Sequence, residues 1–182
     1  MRTAEFRWAL VALAGVVLLG TLQGIVIAVI VSLLSLAWQA YNPPVYALGR
    51  KRGTTVFRPV SPEHPDDEQW PGLLMIRIEG RLFFANAQRI GDLMWPMVET
   101  ARPSVVLLDF GAVTDVEYTA LKMLCEAEEQ GRDAGRQLWI AGLNPAVFEV
   151  VERSRLGAAL GHERMFHNMQ AAVEEFQHRI ES

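Results

Sequence analysis

Charge is missing from residues 8–49: no Asp, Glu, Lys or Arg occurs there, although 21% of the whole chain is charged. An uncharged stretch of that length makes a poor soluble surface and belongs in lipid. Cysteine is almost missing as well. The single Cys125 excludes an internal disulfide and fits a reducing compartment. Set beside Leu121 and Leu124 on a helical pattern, it reads as a small buried residue. A basic excess is also lacking. The net charge is -4, and apart from Arg2, Glu5 and Arg7 every charge lies beyond residue 49. The water-facing part is therefore acidic, which excludes nucleic acid as its main partner, because phosphate binding needs a concentrated basic face.

What is present begins with an apolar run over residues 8–38. As one helix it would extend to roughly 45 Å, against about 30 Å of hydrocarbon. Gly20-Thr21-Leu22-Gln23-Gly24 interrupts it. Two readings follow: one long tilted span, or two short helices at about 8–19 and 24–39 that need other protein to cover their ends. Gly20 and Gly24 also form a G-x-x-x-G, which permits close helix approach or simply marks a flexible turn. A signal peptide fits poorly, since the run exceeds the usual apolar core and no small-x-small cleavage site follows it. Trp38 and Tyr41 suit an interfacial aromatic belt, and Pro43-Pro44 ends the helix. Arg50, Lys51 and Arg52 then form a basic collar at the membrane border. Together with Arg58 they outweigh Arg2 and Arg7 and place the downstream part in the cytoplasm.

Three regions result. Residues 1–49 form the membrane segment, residues 50–71 the collar and a linker, and residues 72–182 a folded domain. The linker carries Pro59, Pro62, Pro65 and Pro71, with Asp66-Asp67-Glu68 between them, and is expected to stay solvated and unpacked. In the domain, residues 73–78 and 82–85 flank Glu79-Gly80-Arg81 and predict a hairpin. A helix over about 87–101 presents Ile90, Leu93, Met94 and Val98 on one face, and Pro103 ends it. Residues 105–110 are continuously apolar up to Asp109, the mark of a strand buried on both sides. A helix over about 118–131, a strand over 138–141 and helices near 145–154 and 168–179 complete the order. Strands alternating with helices predict an α/β fold with a mixed, mainly parallel central sheet covered by helices.

Catalytic signatures are scarce. His162-Glu163 and His167 resemble a zinc-protease motif, but the histidines stand five apart where four are needed to share a helix face. No nucleophile elbow, phosphate-cradling glycine loop or Cys/His cluster appears, so no cofactor and no enzyme activity is expected. Glu126, Glu128 and Glu129 read as a solvated helix face. One loop carries more information. After the buried strand, Asp115, Val116, Glu117, Tyr118 and Thr119 run straight into a helix. Either Thr114 with Glu117 forms a capping box, or Asp115 caps the helix. Tyr118 and Thr119 fall in the first turn, where the macrodipole favours negative charge, so a phosphate added to a hydroxyl there is well tolerated. The plainer alternative is an ordinary helix start.

At this loop the chain resembles the STAS domain, the module shared by sulfate transporters and anti-sigma factor antagonists. Residues 106–121 look like that family's strand–loop–helix signature. Upstream, Gly24-Ile25, Ser32-Leu33, Pro44, Leu48-Gly49-Arg50 and Gly53-Thr54 are similar to the end of the transport domain in SulP-type anion permeases. Pro71-Gly72-Leu73-Leu74, Glu79-Gly80, Phe84-Ala85-Asn86-Ala87 and Ala141-Gly142-Leu143-Asn144 resemble permease STAS domains. The resemblance implies the C-terminal piece of a sulfate-class permease: closing membrane helix or helices, a linker and a cytoplasmic regulatory domain. Its partners would be lipid, the remaining transport-domain helices, and a second STAS domain or a regulator protein. In the antagonist branch, a serine pair after an aspartate at this loop is a phosphorylation switch. Here Glu117 stands at the aspartate position, and Tyr118 with Thr119 replaces the serines. The alternative is a free-standing, membrane-tethered STAS protein that acts as a phospho- or partner-binding switch.

Overall fold

Three runs that are nearly all apolar lie side by side at the centre of the computed structural model, which describes residues 21–181. The chain divides after Tyr41 into two compact units.

In the first unit, α1 (Thr21–Tyr41) is one continuous helix without a charged side chain. Its 21 residues give about 32 Å, enough to cross the hydrocarbon of a bilayer. The helix passes through Gly24 unbroken; the expected short helix at 8–19 and Gly20 lie outside the described residues. Leu22, Leu33, Leu34 and Leu36 are exposed, as suits a lipid-facing surface. The Gln39 amide donates back to the Ser35 carbonyl at 3.3 Å, so this polar group is satisfied within the helix. Trp38 and Tyr41 meet near the C-terminal end with tilted rings, their centroids 6.3 Å apart.

The second unit holds the central sheet. Its strands are β1 (Val45–Arg50), β2 (Phe57–Pro59), β3 (Leu73–Ile78), β5 (Val105–Asp109), β7 (Gln137–Ala141) and β8 (Met165–Phe166), in the order β2-β1-β3-β5-β7-β8. The pairs β3–β5, β5–β7 and β7–β8 are parallel, whereas β1 runs antiparallel to both its neighbours. This is the expected mixed α/β sheet. Alternation along the strands sorts the core into two clusters. Ile76, Ile78, Val106, Leu108 and Ile140 face α2 (Phe84–Ala101), α3 (Tyr118–Asp133), α4 (Pro145–Glu152) and α5 (Arg155–Leu160). Met75, Leu107 and Trp139 face α6 (Met169–Glu181), which supplies Met169, Ala172, Val173 and Phe176. Trp139 is fully buried, edge-on to Phe176 at 6.3 Å, with the Arg179 guanidinium 4.8 Å above its ring.

Several expectations change. Residues 45–49, read as the end of the membrane segment, form β1 together with Arg50, and Leu48 is buried in the core. Residues 50–71, read as an unpacked linker, carry β2 and fold back on it. Arg50 pairs with Glu68 at 2.7 Å, reaches Gln170 at 3.1 Å and lies 4.8 Å over the Trp70 ring. Arg58 grips Asp67 through two hydrogen bonds of 2.7 Å. The acids of this stretch therefore latch onto the basic residues of the β1–β2 ribbon. The expected hairpin is absent as well: β3 already has β1 and β5 on its two edges. At Gly80 (φ +90°) the chain leaves the sheet as β4 (Gly80–Leu82), which pairs in parallel with β6 (Val113–Val116). The helix expected near 145–154 is present as α4, and an unexpected short helix, α5, follows it; the Ser154 hydroxyl caps α5 by accepting from Gly157 N at 3.3 Å. Gly157 allows the tight corner, because a Cβ there would stand 2.3 Å from the Val151 carbonyl oxygen.

Glu128 is the clearest reversal. Expected on a solvated face, it is 1% exposed and accepts from Arg164 and Arg132 at 3.1 Å each. Arg164 also donates to the carbonyls of Leu160 and Ala159. The pair ties the middle of α3 to the segment after α5.

Two outcomes follow from these ion pairs. Replacing Arg164 by Met leaves the Glu128 carboxylate buried with one exposed partner, so urea unfolding should show a loss of about 3 kcal/mol or more. Arg58, hydrogen-bonded to Asp67, holds that carboxyl below its ordinary range. A depressed carboxyl stabilises above its unfolded pKa, and the gain fades as pH falls through the folded value. Thermal melts should therefore separate Asp67→Asn from the unmodified chain above about pH 5 and converge with it toward about pH 3. A constant separation across that window would exclude the linkage.

Candidate functional site

The loop that follows β5 is positioned by one buried carboxylate. Asp109 is 2% exposed. Its Oδ1 accepts from the Gly111 amide at 2.9 Å, and its Oδ2 accepts from Arg77 Nε at 2.8 Å. Arg77 keeps its charge despite burial because the Asp109 carboxylate is its partner, which holds the guanidinium above its ordinary pKa. On the far side of Arg77, the Tyr46 hydroxyl donates to Glu79. Burial first, then the Glu79 carboxylate, raises the Tyr46 pKa. Strands β1, β3 and β5 are thus pinned together at the end from which the loop leaves.

Glycine permits the next close approach. Gly142, after β7, has φ +76°, and a Cβ on it would stand 3.0 Å from Gly111 N and 3.2 Å from Gly111 Cα. Asn144 then serves two elements. Its Oδ1 caps α4 by accepting from Val147 N at 3.0 Å, and its Nδ2 donates to the Val113 carbonyl at 2.9 Å. On the other flank, buried Asn86 accepts from Phe83 N at 3.0 Å and donates to the Arg81 carbonyl at 2.8 Å. Both sides of the β4–β6 pair are held by asparagine side chains.

On this frame the sequence-nominated residues divide cleanly. Asp115 and Glu117 are brought together by a residue the sequence did not single out. Arg81 Nε donates to Asp115 at 2.8 Å, and Nη2 donates to Glu117 at 2.7 Å. No capping box forms with Thr114, and Asp115 does not cap α3. The N-cap residue is Glu117, which makes no side-chain capping bond because its carboxylate is turned to Arg81. Tyr118 and Thr119 open the first turn of α3, and both are exposed. Arg50, Lys51 and Arg52 lie elsewhere. Val45 pairs with Ile78 and Asp109 with Arg77, so the loop stands at the end of the sheet where β1 begins. The collar stands at the opposite end, where β1 turns into β2. Arg50 is spent on Glu68, while Lys51 and Arg52 are exposed in the turn.

A groove of about 670 Å³ runs beside the loop between α3 and the α4–α5 corner, lined by Tyr118, Leu121, Cys125, Glu129, Val150 and Leu156. Cys125 is half-buried here and not a core residue. Burial and the neighbouring Glu129 carboxylate raise its thiol pKa, which makes it a poor nucleophile at neutral pH. His162 and His167 are exposed, and among the described residues no three His, Cys, Asp or Glu side chains are placed to hold a metal.

Rigidity and charge separate in this site, and substitution tests that division. Gly142→Ala forces a side chain into the Gly111 backbone at positive φ and should cost about 1–3 kcal/mol in urea unfolding. Arg81→Ala breaks two exposed pairs and should cost about 1 kcal/mol or less. The reverse ranking would mean that the ion pairs, and not the glycine contact, hold the loop.

Residues 64–173 match the STAS domain family. High affinity sulfate transporter 2 of Stylosanthes hamata is 27% identical over 182 residues, covering 94% of this chain and 27% of that protein. Among solved structures, the anion transporter family member SLC26A9 shares the fold with a TM-score of 0.72 at 17% identity, covering 98% of this chain and 31% of that one. A sulfate transporter family protein from Wolinella succinogenes gives 0.56 at 24% identity, covering 68% of this chain and all of that one. The chain thus spans about a quarter of the length of the curated relatives it matches. With the family signature, the two-faced sheet and the strand–loop–helix site in agreement, this chain belongs to the STAS domain family and has sulfate transporters as homologues across most of its length.

Proposed function

We propose that this chain is the C-terminal part of a SulP-type transporter for sulfate-class anions, with its STAS domain serving as a regulatory docking module. The observation that carries this reading is the extent of the match. Likeness to a sulfate transporter runs through the apolar helix and the domain together, over 94% of the chain. The anion would pass through helices of the transporter that correspond to the remaining length of those relatives. The domain would face the cytoplasm, as the exposed Lys51 and Arg52 beyond the helix favour by the positive-inside rule. Residues 111–119 would tune the contact with the transport domain or a twin STAS domain. They combine a fixed backbone with exposed, changeable charge: Asp115, Glu117, Tyr118 and Thr119.

Labelled sulfate uptake tests this reading. Cells lacking their own uptake would express the complete transporter ending in this chain. Replacing residues 111–119 by a Gly/Ser segment should lower uptake by about tenfold at equal membrane abundance. Thr119→Glu, which adds charge at the first turn of α3, should shift uptake by about twofold or more, whereas Thr119→Ser should not. Unchanged uptake in the loop replacement would defeat the regulatory role. No uptake above background from the unaltered transporter would defeat the sulfate assignment.

A further inference from the structure

Two large aromatic side chains stand out on the domain surface. Phe84 is 70% exposed and Tyr118 is 78% exposed. They are far apart in sequence, but the fold makes them neighbours. Leu82 pairs with Val116 across the parallel β4–β6 ribbon, and the Glu117 amide donates to the Leu82 carbonyl at 2.8 Å. Two residues beyond the paired position on each strand, Phe84 opens α2 and Tyr118 opens α3. Adjacent strands lie only about 5 Å apart, so the two aromatic residues begin their helices side by side.

Beside them sits the Asp115–Arg81–Glu117 triad, in which two carboxylates share one guanidinium. Each carboxylate is partly exposed, so both keep lone pairs free for a further donor. The nearest lysine, Lys122, is drawn toward Glu126 at 3.8 Å and does not offset the excess. The patch therefore joins exposed aromatic faces with unspent negative charge. That combination selects guanidinium and ammonium groups, which ion-pair with the carboxylates and stack on the rings. The domain as a whole is acidic as well, since past residue 49 the acids outnumber Lys and Arg by 20 to 15.

Resting on the regulatory reading above, we propose that Phe84, Tyr118, Asp115 and Glu117, held in register by Arg81, form a docking patch for an arginine- or lysine-bearing cytoplasmic segment of the transport domain. Charge complementarity fixes the occupant. Cytoplasmic loops of membrane proteins carry an excess of Lys and Arg, and an acidic–aromatic patch on an attached domain is their complement. Arg81 is a positioning residue here: it gathers the two carboxylates on one guanidinium and turns that of Glu117 away from the helix start.

Binding by the full chain in nanodiscs tests the patch directly. The probe is a fluorescent peptide of about twelve residues in which arginine alternates with leucine and glycine, compared with the same peptide carrying glutamate for arginine. The unmodified chain should bind the arginine peptide and not the glutamate peptide, with affinity falling as NaCl rises from about 50 to about 300 mM. Asp115→Asn with Glu117→Gln should weaken binding about tenfold or more, and so should Phe84→Ala with Tyr118→Ala. Asp115→Lys with Glu117→Lys should bind the glutamate peptide instead, which rules out misfolding as the cause of loss. Equal binding by all variants, or a chain that self-associates through Phe84 and Tyr118 without binding peptide, would overturn the proposal. Patch-dependent binding with uptake indifferent to residues 111–119 would leave the patch standing and remove the regulatory reading.

Discussion

All five residues of β5 are buried, and the placement of everything else follows from covering them. A strand enclosed on both faces needs a neighbour on each edge and a helical layer on each side. Strands β3 and β7 supply the edges, α2 to α5 cover one face, and α6 covers the other. The strand ends at Asp109, where a carboxylate with 2% exposure must find partners inside the protein. Arg77 and the Gly111 amide are those partners. The same constraint that builds the core therefore fixes the first residues of the functional loop, and rigidity at Gly111 is inherited from β5.

Much of this architecture was legible in the chain. The apolar runs at 105–109 and 138–141 announced buried strands, and the spacing of Ile90, Met94 and Val98 announced the inner face of α2. What stayed hidden depends on partners distant in sequence. Residues 45–49 continue an uncharged stretch, and nothing local shows that Leu48 is destined for the core beneath α6. Arg50 and Arg58 look like a membrane-border collar until Glu68 and Asp67 fold back onto them. Residues 73–85 have hairpin chemistry, yet β3 has no free edge to accept a hairpin partner. Glu128 occupies a position whose periodicity is ambiguous, and only the arrival of Arg164, 36 residues later, makes burial of its charge tolerable. In the site, Asp115, Glu117, Tyr118 and Thr119 could be named from their place at a helix start, and Asn144-Pro145 carries a readable capping signal. Arg81 could not be named, because its role comes from the parallel pairing of two short strands.

The two polar features nominated by the sequence serve different ends of the domain. At the β1–β2 end, basic and acidic side chains neutralise one another and close the fold. At the loop end, two carboxylates are left with a single guanidinium and remain open to further partners. Fixed geometry and unspent charge occur together only at that second end, which is why the functional argument rests there.

One helix, α6, covers an entire face of the sheet, and it is the final element of the domain. On a ribosome the first strand, β1, leaves the exit tunnel long before the helix that shelters Leu48 and Trp139. Until α6 arrives, that face stays bare, and Arg50 waits for Gln170 across 120 positions. The domain is thus finished from its tail, and a chain that stopped before α6 would leave one of its two core clusters uncovered.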